Sequence, residues 1–231
     1  TTYSARFYQG RHIIGGIAGK LSKTNKIGYI ASFPIPEVIR GINAATLAAR
    51  AVNPAIETQV VWVNTWYDPG KEADAAKALI AQGADIIMQH TDSPAALQAA
   101  EAAEVLAFGQ ASDMKRFAPT SQLTAIIDDW APYYVERTRA VLEGTWASED
   151  IWHGLAEGMV DMAAYENMPE DVAAAALETE TKLTAGEIDP FAGPITDRDG
   201  SLRVPEGEVA SEEMKLGMDF FVEGVIGDLP N

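Results

Sequence analysis

The sequence contains no cysteine. Disulfides, thiolate metal sites and cysteine nucleophiles are thereby excluded, although the compartment is not, since a protein can be exported without any disulfide. Histidine is nearly as scarce at 3 residues, which argues against a multi-histidine metal centre. Basic residues are few as well: 17 Lys and Arg stand against 34 Asp and Glu, a formal net charge of −17 over 231 residues. Such a surface repels nucleic-acid phosphates and gives no electrostatic hold on anionic lipid. No apolar run reaches 18 residues, and the longest candidate, 84–89, has the length of a strand rather than a membrane span. The opening Thr1-Thr2-Tyr3-Ser4-Ala5-Arg6 has neither the charged start nor the apolar stretch of a signal peptide, so an exported form is expected to carry its leader outside this sequence. The P-loop, the G-x-S-x-G elbow and the H-E-x-x-H pair are all missing.

What remains is 47% hydrophobic, enough to build a core for one large domain or two small ones. An amphipathic stretch, Tyr8 to Leu21, comes first. Strand and helix patterns then alternate. Lys26 to Phe33 is a nearly continuous apolar run, as expected of a strand buried on both faces. A helical pattern over 37–51 ends at Asn53-Pro54, because the residue before proline disfavours helix. Further strands are expected at 58–63, 85–90, 105–109 and 123–127, with helices over about 70–82, 95–103 and 130–142. Five strands interleaved with helices call for a doubly wound parallel sheet covered on both faces.

Beyond Gly144 the pattern changes. Residues 152–162 hold a tryptophan, two glycines and a strand; 166–186 is an acidic, alanine-rich helix with Pro169 at its first position. Phe191 to Ile195 followed by Asp199-Gly200 reads as a hairpin, and Ser211 caps a last helix running to Phe221.

Ligands of open parallel sheets bind at the carboxyl ends of the strands, near the reversal of strand order. Five loops occupy that position: 33–37, 64–68, 90–93, 110–113 and 128–130. They supply aromatic faces (Phe33, Trp66, Tyr67, Trp130) and hydrogen-bonding groups (Asn64, His90, Asp92, Gln110, Ser112, Asp113, Asp129). Aromatic plates with neutral and acidic polar groups suit a flat, polar, uncharged or cationic ligand. Phosphate would call for glycine-rich turns or basic residues instead. Gly15-Gly16-Ile17-Ala18-Gly19-Lys20 lies inside a helical pattern with no strand before it and does not make such a loop. His90-Thr91-Asp92-Ser93 sits on one turn and lacks triad geometry, and Asp128 and Asp129, as neighbours on a strand end, point to opposite sides. Among the tryptophans, Trp62 reads as sheet packing, Trp146 as a structural plug, and Trp152, beside Gly154, as a cleft residue.

Several segments together resemble the basic membrane protein family of ABC-transporter substrate-binding proteins, which includes the purine nucleoside receptors. They are Lys20 to Ile30, Phe33-Pro34-Ile35-Pro36-Glu37-Val38, Val61 to Glu72, Gln82 to Asp85, Gln89 to Pro94, Gly154 to Val160, Pro190 to Ile195 and Val222 to Gly227. The resemblance implies a type I periplasmic-binding-protein fold, with two lobes closing on a ligand about a hinge. It also implies that the family's N-terminal signal and first α/β half lie outside this chain. Residues 1–24 are then expected to be the helix of a first lobe and the crossing, 25–150 a second α/β lobe, and 151–231 a crossing strand with the segment completing the first lobe.

By the same resemblance, Phe33, Trp66 and Trp130 stack on a purine, and Asn64, Asp92, Gln110, Asp113 and Asp129 fix its edge. The lysine that purine nucleoside receptors place soon after the fifth strand is missing from Asp128-Asp129-Trp130-Ala131-Pro132, which favours a free base such as adenine over a nucleoside. Implied further are no cofactor, no metal and no catalysis, an ABC permease as partner, a monomeric state, and a periplasmic or cell-surface lipoprotein location. A ligand-sensing module of a receptor or regulator is the alternative, though no DNA-binding or signalling segment supports it.

Overall fold

The computed structural model describes residues 1–230. A short strand, β1 (Thr2–Ala5), leads into helix α1 (Tyr8–Leu21). Alternating elements follow: β2 (Lys26–Ala31), α2 (Pro36–Val52), β3 (Glu57–Trp62), α3 (Pro69–Ala81), β4 (Ile86–His90), α4 (Ala95–Ala102), β5 (Leu106–Gly109), β6 (Gln122–Asp128) and α5 (Ala131–Glu143). The remainder holds β7 (Asp150–His153), β8 (Val160–Met162), α6 (Glu170–Thr184), β9 (Ile195–Thr196), β10 (Leu202–Val204), α7 (Glu212–Leu216) and β11 (Val225–Ile226).

Seven strands form the main sheet in the order β11-β3-β2-β4-β5-β6-β8, all parallel except β8, which runs antiparallel to β6. From β2 the chain passes to β3 on one side and then returns to β4 on the other. The strand order therefore reverses around β2, and the carboxyl ends of β2 and β4 flank the crevice where parallel sheets take ligands. β1 and β7 pair parallel to each other outside this sheet, from Thr2 opposite Asp150 to Ala5 opposite His153. β9 and β10 make the expected hairpin, with Gly200 at a positive φ of 87° in its turn.

Helices α1, α2 and α6 cover one face, and α3 with α4 covers the other. Two glycines decide how α1 lies. A methyl group on Gly15 would stand 2.2 Å from the carbonyl oxygen of Ala45, and one on Gly19 would stand 2.5 Å from that of Ala49. Only hydrogen at these positions lets α1 sit directly on α2 with the two helices in register. The loop before α3 is locked by a reciprocal cap: Asp68 accepts from the Lys71 amide at 3.1 Å, and the Asp68 amide donates to Glu72 at 2.9 Å. Glu72 is fully buried and also accepts from the Ser93 amide at 3.2 Å, tying the β3–α3 loop to the β4–α4 loop.

Within this chain residues 1–24 and 151–231 pack directly on 25–150: α1 packs along α2, α6 packs on α1, and β8 and β11 complete the two edges of the one sheet. The glycine face of α1 and the need to cover both sheet edges account for this. The element that stands off is α5, which buries only Tyr133 and Ala140 and leaves Tyr134, Val135, Val141 and Leu142 exposed. The segment 152–162 forms two strands in different sheets rather than one. Pro169 precedes α6 as its cap with extended backbone, and α7 stops at Leu216 before Gly217. Trp146 is exposed and plugs nothing, whereas half-buried Trp62 stacks on Phe221 at 6.4 Å and donates to the Asp228 carbonyl at 2.9 Å.

Candidate functional site

At the carboxyl ends of β4, β5 and β6 lies a cavity of about 240 Å³. His90 comes from the end of β4, Gln110 follows β5, and Asp128 ends β6; Trp130 lies two residues beyond. Glu37, in the first turn of α2, closes one side, and Tyr3 and Phe7, flanking the β1–α1 connection, close another.

Arg11 braces Gln110 from within the core. Its side chain is almost wholly buried, and Nη2 donates to the Gln89 carbonyl at 2.7 Å and to Gln110 Oε1. The guanidinium also lies 5.0 Å from the Phe7 ring centre and 5.3 Å from that of Tyr29. Holding Gln110 by its oxygen leaves the amide nitrogen as the donor facing the cavity. The turn beyond β4 is shaped by Gln89, whose Nε2 donates to the carbonyls of Thr91 at 2.7 Å and Ser93 at 2.9 Å.

Burial governs the titratable groups of the cavity. Burial, with Arg11 and Arg40 nearby, holds His90 neutral well below the usual imidazole range. Its Nε2 stands 3.9 Å from Glu37, too far for a hydrogen bond, and with a neutral ring this contact is no ion pair. Burial pushes the Asp128 carboxyl up to about 7, with Glu37 and Asp92 reinforcing the shift and Arg11 opposing it. His90 Nδ1 and Asp128 Oδ1 are both buried with no hydrogen-bond partner among the described residues. An unpartnered donor or acceptor at a cavity wall is a place for a ligand group or a water.

The aromatic groups form a run rather than a pair of plates. Phe33 lies 5.3 Å from Trp66, Trp66 lies 6.1 Å edge-on to His90, and His90 lies 5.8 Å from Phe7. Across the cavity Tyr3 meets Trp130 edge-on at 5.7 Å and Tyr133 at 4.6 Å. One rim is fixed by the Asp92 amide, which donates to the Trp66 carbonyl at 2.9 Å.

Of the residues named from the sequence, His90, Gln110 and Trp130 line the cavity; Phe33, Trp66 and Asp92 do not, Trp66 meeting His90 edge-on and Phe33 and Asp92 meeting Trp66. The others are placed elsewhere. Asn64 is exposed in a left-handed turn with φ of 51°. Asp113 accepts from Gln122 Nε2 at 2.7 Å and from the Lys115 amide at 3.0 Å, bracing the loop after β5. Asp129 accepts from the Ala131 amide at 3.0 Å at the start of α5 and faces a separate cavity with Glu136, Arg137 and His153. Trp152 is held between Arg6 at 4.3 Å and Arg40 at 4.8 Å and donates to the Ala5 carbonyl at 3.0 Å, a structural post between β1 and β7. Tyr3, Phe7, Glu37 and Asp128 also line the cavity; Glu37 and Asp128 fall within the loops 33–37 and 128–130, whereas Tyr3 and Phe7 come from outside the five loops. No group of three or more His, Asp or Glu among the described residues is arranged to hold a metal ion. No helix among them is long and apolar enough to cross a membrane.

Residues 1–189 match the family model described as ABC transporter substrate-binding protein PnrA-like. The chain belongs to that family. It is the family resembled by the segments around Lys20–Ile30 and Val61–Glu72. The purine-binding protein of Brucella abortus is 56% identical over 230 residues, covering 100% of this chain and 66% of its own length. A putative ABC transporter glucose-binding protein of Haloferax volcanii is 37% identical over 230 residues, covering 99% and 56% respectively. The chain thus spans less than two thirds of the length of these curated relatives. Among solved structures, a solute-binding protein of an ABC transporter system from Conexibacter woesei superposes with a TM-score of 0.63 at 22% identity, over 81% of this chain and 64% of that one. The α/β fold with its mostly parallel sheet is that of type I periplasmic solute-binding proteins.

Proposed function

We propose that this chain provides one wall of the ligand clamp in a solute-binding protein that takes a purine-like base or nucleoside and hands it to an ABC permease. The observation that carries the reading is the cavity at the strand ends. It combines flanking aromatic rings with an amide donor on Gln110 and carboxyl acceptors on Asp128 and Glu37, the complement of a flat heterocycle with polar edges. The 56% identical relative, named as purine-binding, supports the same ligand class. Trp130 and Tyr3 on one side and Trp66 with His90 on the other flank the ring, while Gln110 and Asp128 fix its edge. The second wall comes from the further length that the relatives possess. Closure occurs about the paired strands β1 and β7, which lie outside the main sheet. The protein works outside the cytoplasm as a monomer, without cofactor or catalysis.

A thermal-shift panel on the full-length protein tests this reading, with adenine, guanine, hypoxanthine, their nucleosides and glucose. A ligand that binds only the folded state raises Tm, by about 2.7 kcal/mol of added stability at a hundredfold excess over Kd. A shift with one or more purines and none with glucose is expected. Stabilisation by glucose alone overturns the purine reading.

A further inference from the structure

Asp128 differs from the other carboxylates of the site. No side-chain or backbone donor among the described residues reaches either of its oxygens, and Oδ1 is buried without a partner. The nearest cation, Arg11 of α1, turns Nη2 to the Gln89 carbonyl and Gln110 instead. Glu37 of α2 and Asp92 of the loop after β4 add negative charge, and His90 of β4 is neutral. Tyr3 supplies the wall from β1, and β8 sets Val160, not a charge, opposite Asp128. An ionised carboxylate here has nothing to balance it, and each of these neighbours except Arg11 leaves the charged form uncompensated or opposes it.

We propose that Asp128 enters the complex as the neutral carboxyl and is the specificity-determining residue of the site. This rests on the purine reading above and deepens it. A neutral carboxyl carries one donor and one acceptor side by side, so it pairs twice with an edge that offers one acceptor beside one donor. The ring nitrogen and exocyclic N–H of a 6-aminopurine form such an edge, and so do the carbonyl and ring N–H of a 6-oxopurine. An ionised carboxylate, with acceptors only, instead pairs with two adjacent donors, such as the vicinal hydroxyls of a ribose. The proton on Asp128 therefore selects for the base edge and against a sugar diol at this position. Below pH 7 the free protein already holds most of this proton, because burial moves the carboxyl up to about 7.

Calorimetric titration of the full-length protein with adenine at pH 6 and pH 8.5 tests the proposal, using wild type, Asp128→Asn and Asp129→Asn. Asparagine keeps one donor and one acceptor in the carboxyl's shape but cannot ionise. Wild type is expected to bind adenine about 30-fold more weakly at pH 8.5, as the neutral form is depleted above a midpoint of about 7. Asp128→Asn is expected to bind within about threefold of the wild-type pH 6 value at both pH values. Asp129→Asn should follow wild type, since that side chain faces another cavity. Wild-type affinity that is flat or rises with pH overturns the proposal while leaving the purine reading intact. Loss of adenine binding by a folded Asp128→Asn protein at pH 6 does the same. No purine binding by any form at either pH overturns both.

Discussion

Asp128→Asn gives a test that needs no ligand. The ordinary aspartate value of 3.8 applies in the unfolded chain, whereas the folded protein holds this carboxyl at about 7. Because the folded value is raised for an acid, the ionised form is disfavoured by folding. Well below pH 3.8 the group is neutral in both states and contributes no difference. As pH rises from 4 to 7 the unfolded chain releases the proton while the folded one retains it, so stability falls; above 7 the full cost remains. At about 1.4 kcal/mol per pH unit, a rise from 3.8 to about 7 sets a ceiling of about 4 kcal/mol. The assay is urea denaturation of wild type and variant at pH 4, 5, 6, 7 and 8, followed by circular dichroism. The stability of Asp128→Asn relative to wild type should rise by up to about 4 kcal/mol between pH 4 and pH 8, with most of the change between pH 4 and 7. A difference that stays constant with pH refutes the argument that this carboxyl is buried without compensation.

Other consequences can be checked separately. Gly15→Ala places a methyl 2.2 Å from the Ala45 carbonyl and should cost about 3 kcal/mol in urea denaturation, because backbone cannot step aside. Gly16→Ala, whose added methyl meets nothing within 4 Å, should instead stabilise by about 0.5–1 kcal/mol through helix propensity. Arg11→Met leaves the Gln89 carbonyl and Gln110 Oε1 without their donor, a loss of about 3 kcal/mol from two buried acceptors, partly offset by no longer burying a charge. A net loss of about 2 kcal/mol, with weaker purine binding, is expected from denaturation and calorimetry. Trp66→Ala removes a side chain that is 40% exposed, so the fold should persist while purine affinity drops about tenfold or more, the range of a lost aromatic stacking partner.

Strands β2 to β6 were legible because strands buried on both faces are written as continuous apolar runs, and the loops beyond them followed from parallel topology. That reasoning reached His90, Gln110 and Trp130. It also found that Asp128 and Asp129 must diverge and named Asp129, whereas Asp128 is the one that lines this cavity. The burial of β6 explains why: its first five residues, Gln122 to Ile126, are all buried, so no alternation of polar and apolar residues reveals which way the strand end faces. Arg11 was hidden for another reason. A lone arginine on an amphipathic helix reads as solvent-facing, and only the packing of α1 on α2 carries it beneath the strand ends. Tyr3 and Phe7 come from a segment before the first sheet strand, outside the repeating units altogether. The misplaced residues share a feature as well. Asp113 and Asp129 each accept from a backbone amide two residues on, and Trp152 donates to the distant Ala5 carbonyl, roles that residue type alone does not separate from ligand binding.

The most direct test of the central claim is a crystal structure of the full-length protein grown with adenine. The account predicts the base in the cavity at the ends of β4, β5 and β6, flanked by Trp130 and its edge within hydrogen-bond distance of Asp128 and the Gln110 amide. Adenine bound anywhere else on the protein, with that cavity empty, would contradict it.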